Sequence, residues 1–402
     1  GNVPHGKNAI TSEIEFYCAD PFKYSVKEYE VTLNTDDETV MTVDYGGTYR
    51  TFPTFEVNME RGENGFIAFV NAKKNVLQFG DIEEADGENY KANETLVTLQ
   101  DFINAEDDVN GTDYMHPLYG AKGKLGTTTW FKNKFLSLKS AGQQVGRANG
   151  GLRTVILPAD SNGDKSGCKN FYAYFHILFY AGLMGQTGEM CINFLTEDNK
   201  LICGVNWYKT DASGNTGHYE LVCYNPNKKD TDRQAGKVLK TYAYTTSHLQ
   251  TQNPWYWDWG HCDIRKEGSK LTFFYRGGYP SFTVPEIKDM KCTKIQIAIK
   301  QWGTRSGNQY LTYNGIDKFT FQKLCVEKWK DAPNKFMTGS SVEVNCADGS
   351  VKMNGLPKPE IGIVSNEWED FYLTPGINKI QCLSSSWAKK PNFKMRYREV
   401  YL

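Results

Sequence analysis

Apolar residues recur at every second position along much of this chain. Residues 66–70 alternate, as do Leu201, Cys203, Val205 and Trp207, then Tyr219, Leu221 and Cys223, then Leu271, Phe273 and Tyr275. Ile295, Ile297 and Ile299 give the cleanest case. A period of two puts alternate side chains on one face, so each run predicts a half-buried strand. Residues 171–180 are apolar almost throughout, which predicts a central strand packed on both faces. Turn residues punctuate the runs at Glu197-Asp198-Asn199-Lys200, Ser213-Gly214-Asn215, Gly277-Gly278 and Asn354-Gly355. Ala347-Asp348-Gly349 joins 342–346 to 351–354 as a predicted hairpin. Residues 182–188 lack the Lys-Ser/Thr ending of a phosphate loop and are also expected to form a hairpin turn. Helical spacing appears over 93–105, where Leu96, Leu99, Phe102 and Ile103 share a face. The expected fold class is all-β, built from sandwiches.

Composition sharpens this picture. Aromatic residues make up 14% of the 402, with 24 Tyr, 22 Phe and 37 Gly, which favours strands and turns over helices. The net charge of −1 excludes the basic footprint expected of a partner for nucleic acid or an anionic membrane. No run of eighteen apolar residues and no charged-plus-apolar leader occurs, so neither a membrane span nor a signal peptide is expected. The ten cysteines form no Cys-x-x-Cys and no zinc spacing; they are expected to be free thiols of a protein made in a reducing cytoplasm. Acidic residues crowd 81–113, and a polar, proline-containing stretch covers 325–335. These shifts predict an inserted sandwich at 105–325 within a discontinuous sandwich from 36–104 and 326–402, leaving 1–35 outside both.

Candidate chemistry centres on Pro254-Trp255-Tyr256-Trp257-Asp258-Trp259-Gly260-His261. If extended, this run would set Trp255, Trp257 and Trp259 on one side, about 6.8 Å apart, with Tyr256 and Asp258 on the other. A row of flat apolar rings beside a carboxylate suits a sugar chain, whose C–H faces alternate with hydroxyls. Trp207, Asn206, Trp302 and Arg305 are further sugar-binding candidates, with Gln301 and Asn308 as polar rim residues. Catalysis is not expected. Glycoside hydrolysis needs two converging carboxylates, and Glu220, Asp258, Asp263 and Glu267 form no recognisable pair. No Gly-x-Ser-x-Gly occurs, and Cys262 and His261 would point to opposite faces of a strand. Asp160-Ser161-Asn162-Gly163-Asp164 begins like a calcium loop, but Lys165 and Phe171 stand where Gly and Glu are needed, so an Asx turn is expected there. A calcium ion elsewhere in a lectin-like module stays open. The six histidines are scattered, and His176 is expected to be a satisfied core residue. Lys389, Lys390, Lys394, Arg396 and Arg398 are expected to form a solvated face.

Particular segments resemble a known family. Glu15-Phe16-Tyr17-Cys18-Ala19-Asp20-Pro21-Phe22-Lys23-Tyr24-Ser25 is similar to the end of the N-terminal belt domain of siphophage distal tail proteins. Gly47-Thr48-Tyr49-Arg50-Thr51-Phe52-Pro53-Thr54-Phe55 resembles the first strand of their galectin-like C-terminal domain. Met353-Asn354-Gly355, the stretch Phe371-Tyr372-Leu373-Thr374-Pro375-Gly376-Ile377-Asn378-Lys379-Ile380 and Met395-Arg396-Tyr397-Arg398-Glu399-Val400-Tyr401 resemble its remainder. The middle of the chain resembles the concanavalin-type jelly-roll insertions of evolved distal tail proteins. The resemblance implies a structural protein of the virion tail tip, assembled in the bacterial cytoplasm. Six copies would form a ring between the tail tube and a tail-associated lysin or receptor-binding protein, and the insertion would bind host cell-wall polysaccharide. Most of the belt domain is missing, and the start at Gly1 without Met reads as a cut within a larger protein. A polysaccharide-degrading tail enzyme and a purely architectural hub protein are the alternatives.

Overall fold

A computed structural model describes residues 13–17, 20–33, 38–119, 122–142, 148–302, 304–305 and 307–402. The described residues form two units: those up to Asn89 together with Trp329–Leu402, and the continuous span Tyr90–Lys328. Both are β-sandwiches, as the period-two runs require.

The discontinuous unit packs a six-stranded sheet on a four-stranded one. The first has the order Lys23–Leu33, Asn392–Tyr401, Thr54–Asn58, Ser341–Asn345, Ser350–Met353, Leu356–Pro357, and the second Val40–Tyr45, Gly376–Ser384, Phe66–Asn71, Val76–Gly80. Alternate residues of both meet between them, with Phe55 stacked on Phe69 at 4.0 Å. The 341–353 hairpin forms as expected, its turn braced by Asp348 accepting from the Ser350 N–H at 2.8 Å. The Pro-Gly-x-Asn piece is a turn at Gly376 (φ +95°) cross-braced by Asn378, which accepts from Thr374 N and donates to Thr374 O. Residues 23–33 belong to this unit rather than to a preceding linker, because they pair along the last strand of the chain.

The continuous unit is a jelly-roll-like sandwich of eight and six strands. The larger sheet runs Ser281–Thr283, Lys270–Phe273, His261–Glu267, Phe171–Tyr180, Tyr313–Asp331, Asn133–Ser140, Lys124–Trp130, with Gly87–Thr98 also paired to Tyr313–Asp331. The smaller runs Lys237–Thr245, Thr216–Cys223, Leu201–Lys209, Gly188–Leu195, Lys294–Trp302, Ala148–Ile156. Ile295, Ile297 and Ile299 fill the space between the sheets with Phe171, Phe175, Phe179, Trp207 and Trp255.

Three local expectations fail for physical reasons. Residues 93–98 are strand; the helix is only Leu99–Asn104, and Thr98 starts it by donating its N–H to the Asp101 carboxylate. The unit therefore begins well before residue 105, because Gly87–Thr98 pairs inside the larger sheet. Residues 182–188 join strands of different sheets, so they form an arch between layers and not a hairpin.

A third layer covers the outer face of the smaller sheet. Tyr114 and Met115 pack on Leu152, Cys191, Val222 and Ala298. Beneath them the Lys300 ammonium pairs with Asp113 and lies 3.1 Å from Glu189, whose carboxylate is 2.9 Å from His116 Nε2. Burial opposes every charge here, but the pairing outweighs it. The Asp113 carboxyl is held down at about 2, that of Glu189 is lowered, and the Lys300 ammonium is raised. Lys300→Met would leave two buried carboxylates without their cation. It is expected to cost about 3–5 kcal/mol in urea unfolding. The triple variant K300M/D113L/E189L, which removes charge from all three positions, is expected to recover much of that loss.

Candidate functional site

The strand Phe171–Tyr180 sits centrally in the larger sheet, between His261–Glu267 and Tyr313–Asp331. Its odd residues enter the core, and its even residues Tyr172, Tyr174, His176 and Tyr180 lie on the other face, which is therefore polar and aromatic rather than uniformly apolar. Register sets Asp263 opposite Tyr174 and His261 opposite His176 on one side, with Tyr313 opposite Tyr180 on the other. A bulge after His176 leaves Asp317 between the paired residues Ile316 and Lys318, and its carboxylate meets His176 Nδ1.

The aromatic segment crosses this end of the sheet, but it is not extended. Trp257–Trp259 is a single 3₁₀ turn, and Trp257 has φ +54°. The three indoles consequently point in different directions. Trp255 is only 2% exposed and packs among Trp207, Tyr219, Tyr244 and Tyr275. Trp259 is half-buried, with its Nε1–H donating to Asn253 O at 3.0 Å. Trp257 is 42% exposed, Asp258 is exposed and Tyr256 half-buried.

The segment is fastened through its backbone. Ile177 N–H donates to Gly260 O and Phe179 N–H to Trp255 O, so the central strand pairs with it directly. A Cβ on Gly260 would lie 1.9 Å from Ile177 O, which makes glycine obligatory there. His176 Nε2 donates to Trp257 O at 2.9 Å, and the His261 ring bonds the Asp258 backbone. Tyr174 Oη meets His261 Nδ1, and the two histidine rings lie 4.6 Å apart. Burial lowers the His261 pKa, with His176 and Lys318 adding to the effect.

A second turn faces Trp257. Phe131 (φ +48°) and Lys132 (φ +68°) connect Lys124–Trp130 to Asn133–Ser140. Two left-handed residues in a two-residue hairpin define a type I′ turn, where Asn-Gly is the strain-free choice. Phe131 instead meets Trp257 edge-on at 4.2 Å and Tyr313 at 5.1 Å, while Tyr256 lies 4.8 Å from Tyr180. Phe131, Trp257, Tyr256, Tyr180, Tyr313 and Trp130 thus form one aromatic platform. Beside it opens a cavity of about 370 Å³, with Trp255, Phe274 and Tyr275 in its wall, Trp259 on the platform side and Arg276 at its mouth.

The other candidates lie elsewhere. Trp207 (0% exposed) is locked between Phe175, Tyr219 and Trp255, and Asn206 (1%) is bonded to His116, so neither can face a ligand. Trp302, at the end of a strand of the smaller sheet, is half-buried against Tyr119. Arg305 lies near Gly185 O, and Gln301 is buried on Thr187. Asp160 forms the expected Asx turn, accepting from Asn162 and Asp164 N–H, and Lys323 Nζ lies 2.8 Å from both Asp160 and Asp164. In the discontinuous unit, Glu63, Asp86 and Asp331 bring carboxylate oxygens within 4.8 Å of one another. All nine described cysteines are free, and eight are buried. Among the described residues no helix is long and apolar enough to cross a membrane.

No protein-family model matches this chain, and a comparison with curated proteins finds no match. Among solved structures, the chain is similar to the CBM2 module of Lactobacillus casei BL23 phage J-1 evolved Dit, at 14% identity and TM-score 0.42, over 60% of this chain and 99% of that one. It is also similar to a legume lectin-like domain from Entamoeba histolytica (12%, TM-score 0.25, 52% and 88%) and to a Bacillus licheniformis beta-glucanase (9%, TM-score 0.26, 62% and 100%). Likenesses of this size identify no family.

The lowered His261 pKa sets a pH dependence. A ring kept neutral in the fold and protonated more readily when unfolded contributes stability above about pH 6.5, and that contribution is lost as pH falls through the lowered value. The protection of amides over 253–260, taken relative to their intrinsic exchange rate at each pH, is expected to fall between pH 7 and pH 5. His261→Gln, which does not titrate, is expected to flatten that response.

Proposed function

We propose that the Tyr90–Lys328 unit binds polysaccharide on the open face of its larger sheet without cleaving it. The aromatic platform stacks on sugar C–H faces, and neighbouring polar groups take hydroxyls. One observation carries this reading. Trp257 and Phe131, on separate loops, both occupy left-handed backbone and meet ring to ring at the surface. Such a backbone costs of order 1–3 kcal/mol at each bulky residue. A fold under selection for stability alone would place Asn or Gly there.

Binding without cleavage agrees with the carboxylates. Asp317 is engaged by His176, and Asp263 sits on the opposite neighbour of the central strand. The resemblance of the terminal segments to distal tail proteins supports a module carried at a phage tail tip, with host cell-wall polysaccharide as its ligand. There the discontinuous unit would join the tail tube to a tail-associated lysin or receptor-binding protein. Six copies on one ring would raise weak single-site binding by avidity.

Substitutions that relieve the strain separate a binding role from a structural one. Trp257→Gly and the pair Phe131→Asn/Lys132→Gly are expected to hold or raise the melting temperature while weakening retention on bacterial wall polysaccharide about tenfold or more. A fall in melting temperature, or unchanged retention, would sink the assignment. Incubation of the full chain with the same polysaccharide is expected to release no new reducing ends.

A further inference from the structure

The cavity beside the platform differs from it in electrostatic character. Its walls include the partly exposed rings of Phe274 and Tyr275, flat faces suited to a pyranose, together with the buried Trp255. Its volume of about 370 Å³ falls in the ordinary range for ligand pockets. No aspartate or glutamate lines it, although the chain carries 47 acidic residues against 46 basic ones. Neutral sugars are usually held by carboxylate or amide oxygens that accept from their hydroxyls. Gln250 supplies one amide, and the Nδ1 of His261 is already engaged by Tyr174.

Arg276 supplies the only formal positive charge in the lining. It sits in a two-residue turn with Gly277, both left-handed (φ +46° and +77°), closed by two backbone hydrogen bonds between Tyr275 and Gly278. Its Nη1–H donates to Thr251 O at 2.9 Å, which orients the guanidinium plane. Among the described residues no carboxylate pairs with it, so the rest of its five-donor fork is available to a ligand. The strained backbone seen at Phe131 thus recurs at Arg276, where it presents a cation at the mouth of a ring-lined cavity. Trp259 lines the cavity and lies 6.0 Å from Tyr256 of the platform, so one ligand can span both.

We propose that this cavity is a subsite for an acidic sugar unit, whose carboxylate or phosphate pairs with Arg276 while its ring lies against Phe274 and Tyr275. The inference rests on the polysaccharide-binding reading above and narrows its ligand to anionic glycans.

Calorimetry of the full chain with four probes tests it: tetragalacturonate, its methyl ester, phosphorylated maltotetraose and plain maltotetraose, each at 50 and 300 mM salt. At least one charged probe is expected to bind fivefold or more tighter than its uncharged counterpart, with the advantage shrinking at high salt. Whichever charged probe wins identifies carboxylate or phosphate as the group recognised. Arg276→Gln is expected to erase the advantage, Arg276→Lys to keep part of it, and both to keep the wild-type melting temperature. Equal binding of charged and uncharged probes, failure of all four probes to bind, or an advantage that survives in folded Arg276→Gln would overturn the acidic subsite. Retention on wall polysaccharide separates the two proposals. If it persists while the probes fail, the platform stands and the subsite falls; if it too is absent, both fall.

Discussion

Two backbone hydrogen bonds hold the candidate site together: Ile177 N–H to Gly260 O and Phe179 N–H to Trp255 O. They carry the pairing of the central strand beyond the end of its regular neighbour and into the aromatic segment. Strand alternation then divides the work. Ile177 and Phe179 point into the core, so the residues that anchor the segment are also core residues. His176, one residue before Ile177, points the other way and donates to Trp257 O. The position of the exposed indole is therefore tied to the packing of the sandwich rather than to the segment's own preferences.

The fold class and most strands were legible in the sequence because period-two alternation reports one buried face directly. Ile295, Ile297 and Ile299 illustrate this: all three are fully buried. Helical spacing over 93–105 misleads because Leu96, Leu99, Phe102 and Ile103 satisfy it locally, while long-range pairing of Gly87–Thr98 makes the first part strand. The arch at 182–188 was invisible for a related reason. A turn between two strands looks the same in sequence whether the strands share a sheet or not.

The candidate site was legible only as a neighbourhood. Clustered tryptophans drew attention to 254–261, but alternation was the wrong rule for a 3₁₀ turn, and it predicted a row of indoles that does not exist. Residue type alone makes Trp207 and Asn206 candidates, and burial removes them. Phe131, Tyr180 and Tyr313 were missed because they join the platform from distant parts of the chain. A weak signal did exist for Phe131: a Phe-Lys pair occupies a hairpin position where Asn-Gly is the expected chemistry. His176 was expected to be satisfied, and both its nitrogens are bonded, yet it faces the site and not the core.

The pairing of the discontinuous sandwich sets an order of events during synthesis. Thr54–Asn58 lies between Ser341–Asn345 and Asn392–Tyr401, so neither neighbour exists when it leaves the ribosome. At 5–20 residues per second, roughly 15–60 s pass before Ser341 is made. Throughout that wait Phe55 and Val57 have no sheet to enter, while Tyr90–Lys328 emerges with all of its own partners and can close first. The large insertion therefore acts as a timer. It obliges Lys23–Leu33, Val40–Tyr45 and Thr54–Asn58 to remain unpaired for most of the chain's translation, whereas Phe66–Asn71 and Val76–Gly80 can pair with each other at once. Those three early strands, rather than the binding module, are the point at which a nascent chain is most exposed to misassembly or chaperone capture.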